Sequence, residues 1–188
     1  MARLLLGGDW QRTTTGAVEG YALLFPMNDL FEEFVGLTLR AAVSPQPVYL
    51  QHTGRYALEG QQRRLFALRP DIVVKGDLVI DTKWKELKPD EPRLGVEQTD
   101  VYQMLAYARA YEAKRLVLLY PWHEGLAHPG VIRRWRIAGT STAFDIGTVN
   151  VGDPHSVRLT LREIAGKGHE TTSTNGSVPE SATAIGAF

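Results

Sequence analysis

Between residues 28 and 43 apolar side chains recur every three or four positions, placing Leu30, Phe31, Phe34, Val35 and Leu39 on one stripe of a helical projection. The spacing predicts an amphipathic helix capped by Asn28 or Asp29 and stopped by Pro45 and Pro47. The stretch before it, ARLLLGGDWQRTTTGAVEGYALLFP, keeps no period and is expected to be irregular, with room for one short strand. After the helix, PVYLQ and RRLFALRP predict two short strands. The second alternates Leu65, Ala67 and Arg69 against Phe66 and Leu68, and the polar HTGRYALEGQQ connects them.

The clearest segment is DIVVKGDLVIDTKWK, in which two β-rich runs flank Lys75-Gly76-Asp77 and predict a hairpin. KELKPDEPRLGVEQ is charged, carries Pro89 and Pro92, and is expected to be a mobile loop. A helix is then predicted from Thr99 or Asp100 through VYQMLAYARAYEA, with Val101, Met104, Leu105 and Ala108 inward. LVLLYP reads as a buried strand, so hairpin, helix and strand trace a β-α-β crossover with a parallel pair in a mixed sheet. VIRRWRIA and SVRLTLRE read as later alternating strands with arginine on one face. The expected organisation is one α/β domain over residues 1–165, followed by a polar, disordered tail over 166–188.

Composition narrows the chemistry. Hydrophobic residues at 44% and charged residues at 22% fit a soluble globular chain. The absence of cysteine removes disulfides, thiolate metal sites and cysteine nucleophiles together. No apolar run reaches the roughly 18 to 20 residues that span a bilayer, so the expectation is an unexported cytoplasmic protein with no membrane partner. Twenty-one basic residues balance 21 acidic ones, so a polyanion must be held by a local patch or through a partner. The five histidines (52, 123, 128, 155, 169) show no zinc spacing, and no phosphate loop or G-x-S-x-G motif occurs. Trp84, Trp122 and Trp135 are expected in core or edge packing.

Within the hairpin, Asp71 opens the first strand, and Asp81 and Lys83 follow in the second. Side chains alternate along a strand, so Asp81 and Lys83 share a face in any register. A three-residue loop sets Asp71 opposite Asp81, with Val73, Val79 and Lys83 on their side and Ile72, Val74, Ile80 and Trp84 on the other. A two-residue loop turns Asp71 away unless a bulge corrects it. Neighbouring carboxylates repel, and a cation makes an internal pair tolerable. Oxygen ligands favour Mg2+ or Mn2+ over zinc. Such an ion polarises a phosphate oxygen and acidifies bound water, while a lysine beside it can orient that water, which is the chemistry of phosphodiester hydrolysis. Gln103 and Tyr107, four apart on the second helix, add polar tips on one face, and Glu32 or Glu33 can add a third carboxylate.

A helix glutamate, R-P-D, D-x-K and Q-x-x-x-Y, in this order, resemble the RecB-type branch of the PD-(D/E)xK nucleases. More narrowly, MNDLFEEFV, LRPDIVV, DTKWK and DVYQMLAYARAY resemble the C-terminal nuclease half of the McrC family of McrBC modification-dependent restriction systems, over roughly residues 1–165. The resemblance implies a restriction-endonuclease-like core, a mixed β-sheet flanked by helices, that cuts DNA with Mg2+ or Mn2+ in defence against foreign DNA. It implies Asp71 and Asp81 as metal ligands, Lys83 as the catalytic lysine, Glu32 as the helix carboxylate with Glu33 its rival, and Gln103 with Tyr107 as the supporting pair. Aspartate stands in DTK where many members have glutamate, a shorter side chain with the same ligand chemistry. A McrB-like GTPase that reads methylated cytosine is the implied partner, and the N-terminal portion that engages it in the family is expected to be missing here. Little base readout is then left to this chain. Arg133, Arg134 and Arg136, with Arg158 and Arg162, are the expected phosphate contacts. The alternative readings are a nuclease-fold binding or scaffold module without turnover, and a RecB-type exonuclease or repair nuclease.

Overall fold

The computed structural model describes residues 10–14, 19–23, 26–61, 63–75 and 77–166; of the predicted tail, Gly166 belongs to a helix and residues 167–188 lie outside the described residues. Its centre is the Asp71–Lys85 hairpin. Strands β6 (Ile72–Val74) and β7 (Leu78–Thr82) pair antiparallel with Ile72 opposite Ile80 and Val74 opposite Leu78. Three residues separate them, so the predicted parity holds, and the register carried one step further sets Asp71 beside Asp81.

Around this ribbon a six-stranded mixed sheet forms in the order β3-β6-β7-β8-β10-β9. β3 (Val48–Leu50) runs antiparallel to β6, while β8 (Arg115–Pro121) lies parallel to β7 through the predicted crossover. β10 (Ala143–Val149) is parallel to β8 and antiparallel to the edge strand β9 (Gly130–Arg136). The fold is therefore α/β, a mixed sheet flanked by helices.

Alternation along the central strands divides the core. Ile72, Val74, Ile80, Val117 and Leu119 face helices α1 (Met27–Ala42) and α3 (Pro154–Gly166). Val79, Leu116 and Leu118 face α2 (Gln98–Tyr111) through Met104 and Tyr107. Each fully buried aliphatic side chain stabilises the fold by about 1.5–3 kcal/mol. Gly36 of α1 is what allows close docking on β3, since a Cβ there would lie 2.8 Å from Leu50 Cδ2.

Several expectations change. The N-terminal stretch holds two strands, β1 (Trp10–Thr14) and β2 (Glu19–Leu23), paired antiparallel. Helix α1 begins after Pro26 with no side-chain cap, so neither Asn28 nor Asp29 caps it; the rigid φ of proline suits the entry to a helix. The supposed connection HTGRYALEGQQ contains a strand, β4 (Arg55–Glu59), which pairs with β5 (Arg64–Leu68) as a separate ribbon. Residues 85–97 are anchored rather than loose, because Leu87 and Leu94 are 2% and 4% exposed and the Lys88 N–H donates to Leu94 O. Helix α2 buries Asp100, Met104 and Tyr107, whereas Leu105 turns toward solvent. SVRLTLRE is helix α3, not a strand: Val157, Leu161 and Ile164 sit at helical spacing and reach the core. The strand actually filling the interior beside β8 is β10, whose AFDIGTV carries an aspartate and a glycine that mask its apolar run.

Candidate active site

The ribbon end at Asp71 and Asp81 meets the N-terminal turns of α1 and α2. Asp71 is pinned by Thr82, whose backbone N–H and hydroxyl both donate to its Oδ2 at 2.7 Å. Its own carbonyl accepts from the Gln51 N–H at 2.7 Å, tying β6 to the end of β3. Asp81 is only 2% exposed. Lys83, whose N–H donates to Leu119 O and so continues the sheet, swings its ammonium to 2.7 Å from Asp81 Oδ2.

Electrostatics mark this cluster as frustrated. Burial, and then the neighbouring Asp71 charge, push the Asp81 carboxyl up to about 6, against the opposing Lys83. Burial also raises Asp71, despite the two Thr82 hydrogen bonds and the Lys83 and Arg69 charges. Burial pulls Lys83 toward its neutral form, but Asp81 and Asp100 outweigh it and leave the ammonium above the usual lysine value. Lys83 is therefore a cation at any physiological pH.

Helix α2 closes the site. Gln103 Oε1 accepts from Lys83 Nζ at 3.3 Å, its Nε2 donates to the Tyr107 hydroxyl at 2.9 Å, and that hydroxyl donates to Arg69 O at 3.2 Å. The relay links Lys83 to the backbone that leads into Asp71. Burial, with the Asp81 and Asp71 charges, raises Tyr107 so that it remains a neutral phenol.

From the opposite layer comes Glu32. It accepts from Gln51 Nε2 at 2.8 Å, Arg69 donates to Gln51 in turn, and burial together with Asp71 raises its pKa. Glu33 is exposed on the outer side of α1, so of the two glutamates it is Glu32 that turns toward Asp71.

Among the described residues no three His, Cys, Asp or Glu side chains close into a ready cage. The donor set is instead a pair, Asp71 and Asp81, with Glu32 held alongside by Gln51. This suits Mg2+, which binds through one or two carboxylates and keeps several waters. The mutual repulsion of the pair is what a hard cation would relieve.

Asp100 is the residue that sequence reading missed, treating it only as a helix start. It is 8% exposed, 3.4 Å from Lys83 Nζ and 3.7 Å from Lys85 Nζ. The signal was its i, i+3 spacing to Gln103, which puts both on the Lys83 side of α2. By contrast, Arg133, Arg134 and Arg136 lie on the edge strand β9, three strands away from β7. Arg134 turns to the α3 side and binds Asp145 through Nε and Nη2 at 2.7 and 2.9 Å. Arg158 and Arg162 belong to α3, so no single arginine-bearing strand face forms.

No curated protein matches the chain. A chain in the half-complex from a tetradecameric assembly of Thermococcus gammatolerans McrB AAA+ hexamers with bound McrC has a similar fold, with TM-score 0.59 and 18% identity over 77% of this chain. The match covers 34% of that chain, so the present chain spans about a third of its length. Among the described residues no helix is long and apolar enough to cross a membrane. The family model for the McrBC 5-methylcytosine restriction system component matches residues 1–121, in agreement with the McrC resemblance of the motifs, and the chain belongs to that family.

Proposed function

We propose that this chain is the cutting module of a McrC-like subunit, a Mg2+- or Mn2+-dependent endonuclease of the PD-(D/E)xK type that hydrolyses DNA phosphodiester bonds. The observation that carries the reading is the register that, carried one step further, sets Asp71 beside Asp81, with an ammonium 2.7 Å from Asp81. Asp71 and Asp81 would hold the ion, with Glu32 reaching it through water. When bound, the ion supplies Lewis acidity toward a phosphate oxygen and lowers the pKa of a coordinated water.

The protein's own side chains do the rest. Thr82 fixes one oxygen of Asp71 and leaves the other for ligation. Lys83, kept charged by Asp81 and Asp100, is placed to orient a water or to meet the negative charge that builds on the phosphate. Gln103 and Tyr107 act through Lys83 and Arg69 as positioning residues. A McrB-like GTPase is the proposed partner, supported by family membership and by the assembly in which the similar fold occurs.

Supercoiled plasmid incubated with the chain and Mn2+ should be nicked, nicking should cease with EDTA, and Asp81→Ala should slow it on the order of 10^3-fold. Calorimetry showing unchanged Mn2+ binding in Asp81→Ala would sink the metal assignment. Degradation of linear but not closed circular DNA would replace the endonuclease with an exonuclease. Metal-independent DNA binding without cleavage, with the GTPase added or not, would leave only a binding module.

A further inference from the structure

The β4–β5 ribbon stands apart from the six-stranded sheet and exposes its apolar residues: Leu58 is 55%, Leu65 50% and Phe66 70% exposed. Residues 55–69 also concentrate charge, with Arg55, Arg63, Arg64 and Arg69 against the single Glu59. Arg55, Arg63 and Arg64 are exposed, and among the described residues none of the three is in an ion pair. In a chain whose total charge is zero, this is the basic patch that gripping a polyanion requires.

Position strengthens the case. Only Arg69 and Pro70 separate β5 from Asp71. Phe66 is five residues from Asp71, so at about 3.3 Å per residue it lies no more than roughly 17 Å away along the strand, the rise of about five base pairs. The base of the ribbon is held: Leu68 packs on the α2-side core, and Tyr111 of α2 donates to His52 O just before β4. Toward the turn the described residues are exposed. Phe66 also adopts φ 59°, a left-handed conformation that strains a bulky residue. The Ala57–Phe66 step is correspondingly missing from an otherwise regular register. An aromatic residue kept in a strained and solvent-facing place brings no folding benefit that the structure shows.

We infer that the β4–β5 ribbon is a DNA-binding element that enters the major groove beside the cleavage site, with Arg63 and Arg64 on phosphates and Phe66 against the groove floor. A two-stranded ribbon matches the roughly 12 Å width of that groove. The inference rests on the nuclease reading for what the bound DNA is for, but binding is measured separately from cutting. It also moves the phosphate contacts from the β9 arginines to the hairpin that flows into Asp71.

The test is fluorescence anisotropy of the full chain with a fluorescein-labelled duplex in EDTA, across a salt series. Arg63→Ala/Arg64→Ala should weaken binding about tenfold and reduce the slope of log affinity against log salt by about 1.8. Phe66→Gly should weaken binding several-fold while leaving Tm unchanged or higher, because glycine accepts the left-handed φ. Unchanged affinity in both variants, or no duplex binding by the wild type, overturns the inference. So does loss of a self-associated species by Phe66→Gly in sedimentation with DNA affinity intact, which would make the ribbon a contact between copies. Plasmid nicking separates the two readings: variants that bind normally and a wild type that cuts defeat the ribbon alone. A wild type that binds through the ribbon yet never nicks with Mn2+ defeats the nuclease alone.

Discussion

Two aspartates lie buried in the same sheet, Asp81 on β7 at 2% exposure and Asp145 on β10 at 0%, and their surroundings differ completely. Asp145 is enclosed by arginine. Arg134 binds both its oxygens, Arg115 Nε donates to Oδ2 at 2.8 Å, and Arg115 also donates to Ile164 O at the end of α3. Asp81 sits instead with two further acids, Asp71 and Asp100, and one ammonium, so ionising it is costly. A satisfied buried carboxylate knits β8, β9, β10 and α3 together. A carboxylate crowded by like charges instead stores repulsion that a cation can release.

Exchanging each aspartate for its neutral isostere breaks the comparison most directly. Asp145→Asn should destabilise the fold by about 3–5 kcal/mol, because two arginines lose their buried counter-charge. Asp81→Asn should do the reverse and stabilise by about 1–3 kcal/mol at pH 7, since it removes a carboxylate whose pKa stands near 6 instead of 3.8. Chemical denaturation of the two variants reads both signs. Equal destabilisation by the two substitutions would erase the contrast.

A pH series sharpens it. The folded state holds the Asp81 proton more tightly than the unfolded state does, so this group adds stability below its unfolded value and loses that contribution as pH rises toward 6. Metal binding runs the other way, because a proton competes for the same carboxylate. Mn2+ affinity by calorimetry should fall about tenfold per unit below pH 6, and the wild-type-minus-Asp81→Asn stability difference should grow more negative from pH 4 to 6.

The smallest effect is expected at Asp100. Asp100→Asn leaves Lys83 with Asp81 and Gln103 as partners, and should slow nicking about five- to tenfold with Mn2+ affinity unchanged. A matching loss of metal affinity would instead make Asp100 a ligand, and no loss of either would leave it a structural partner of Lys85.

Particular residues show how much of this was legible beforehand. Asp81 and Lys83 share a face by alternation alone, whereas Asp71 joins them only with a three-residue loop, the alternative that the register selects. Gln103 and Tyr107 followed from helical spacing, and their relay to Lys83 and Arg69 is what the structure adds. The β4 strand was obscured by its polar flanks. SVRLTLRE satisfied a twofold and a helical period at once, and only packing against β10 and α1 separates them.

Local pattern, then, dictated the hairpin and the face shared by Asp81 and Lys83, since these depend on neighbours a few residues away, while the three-residue turn that brings Asp71 to them is read from the structure. Which way α2 turns, bringing Asp100 and not Leu105 inward, and whether an arginine faces solvent or binds Asp145, depend on residues tens of positions distant. Their free energies arise from burial and charge pairing that exist only after the layers have closed.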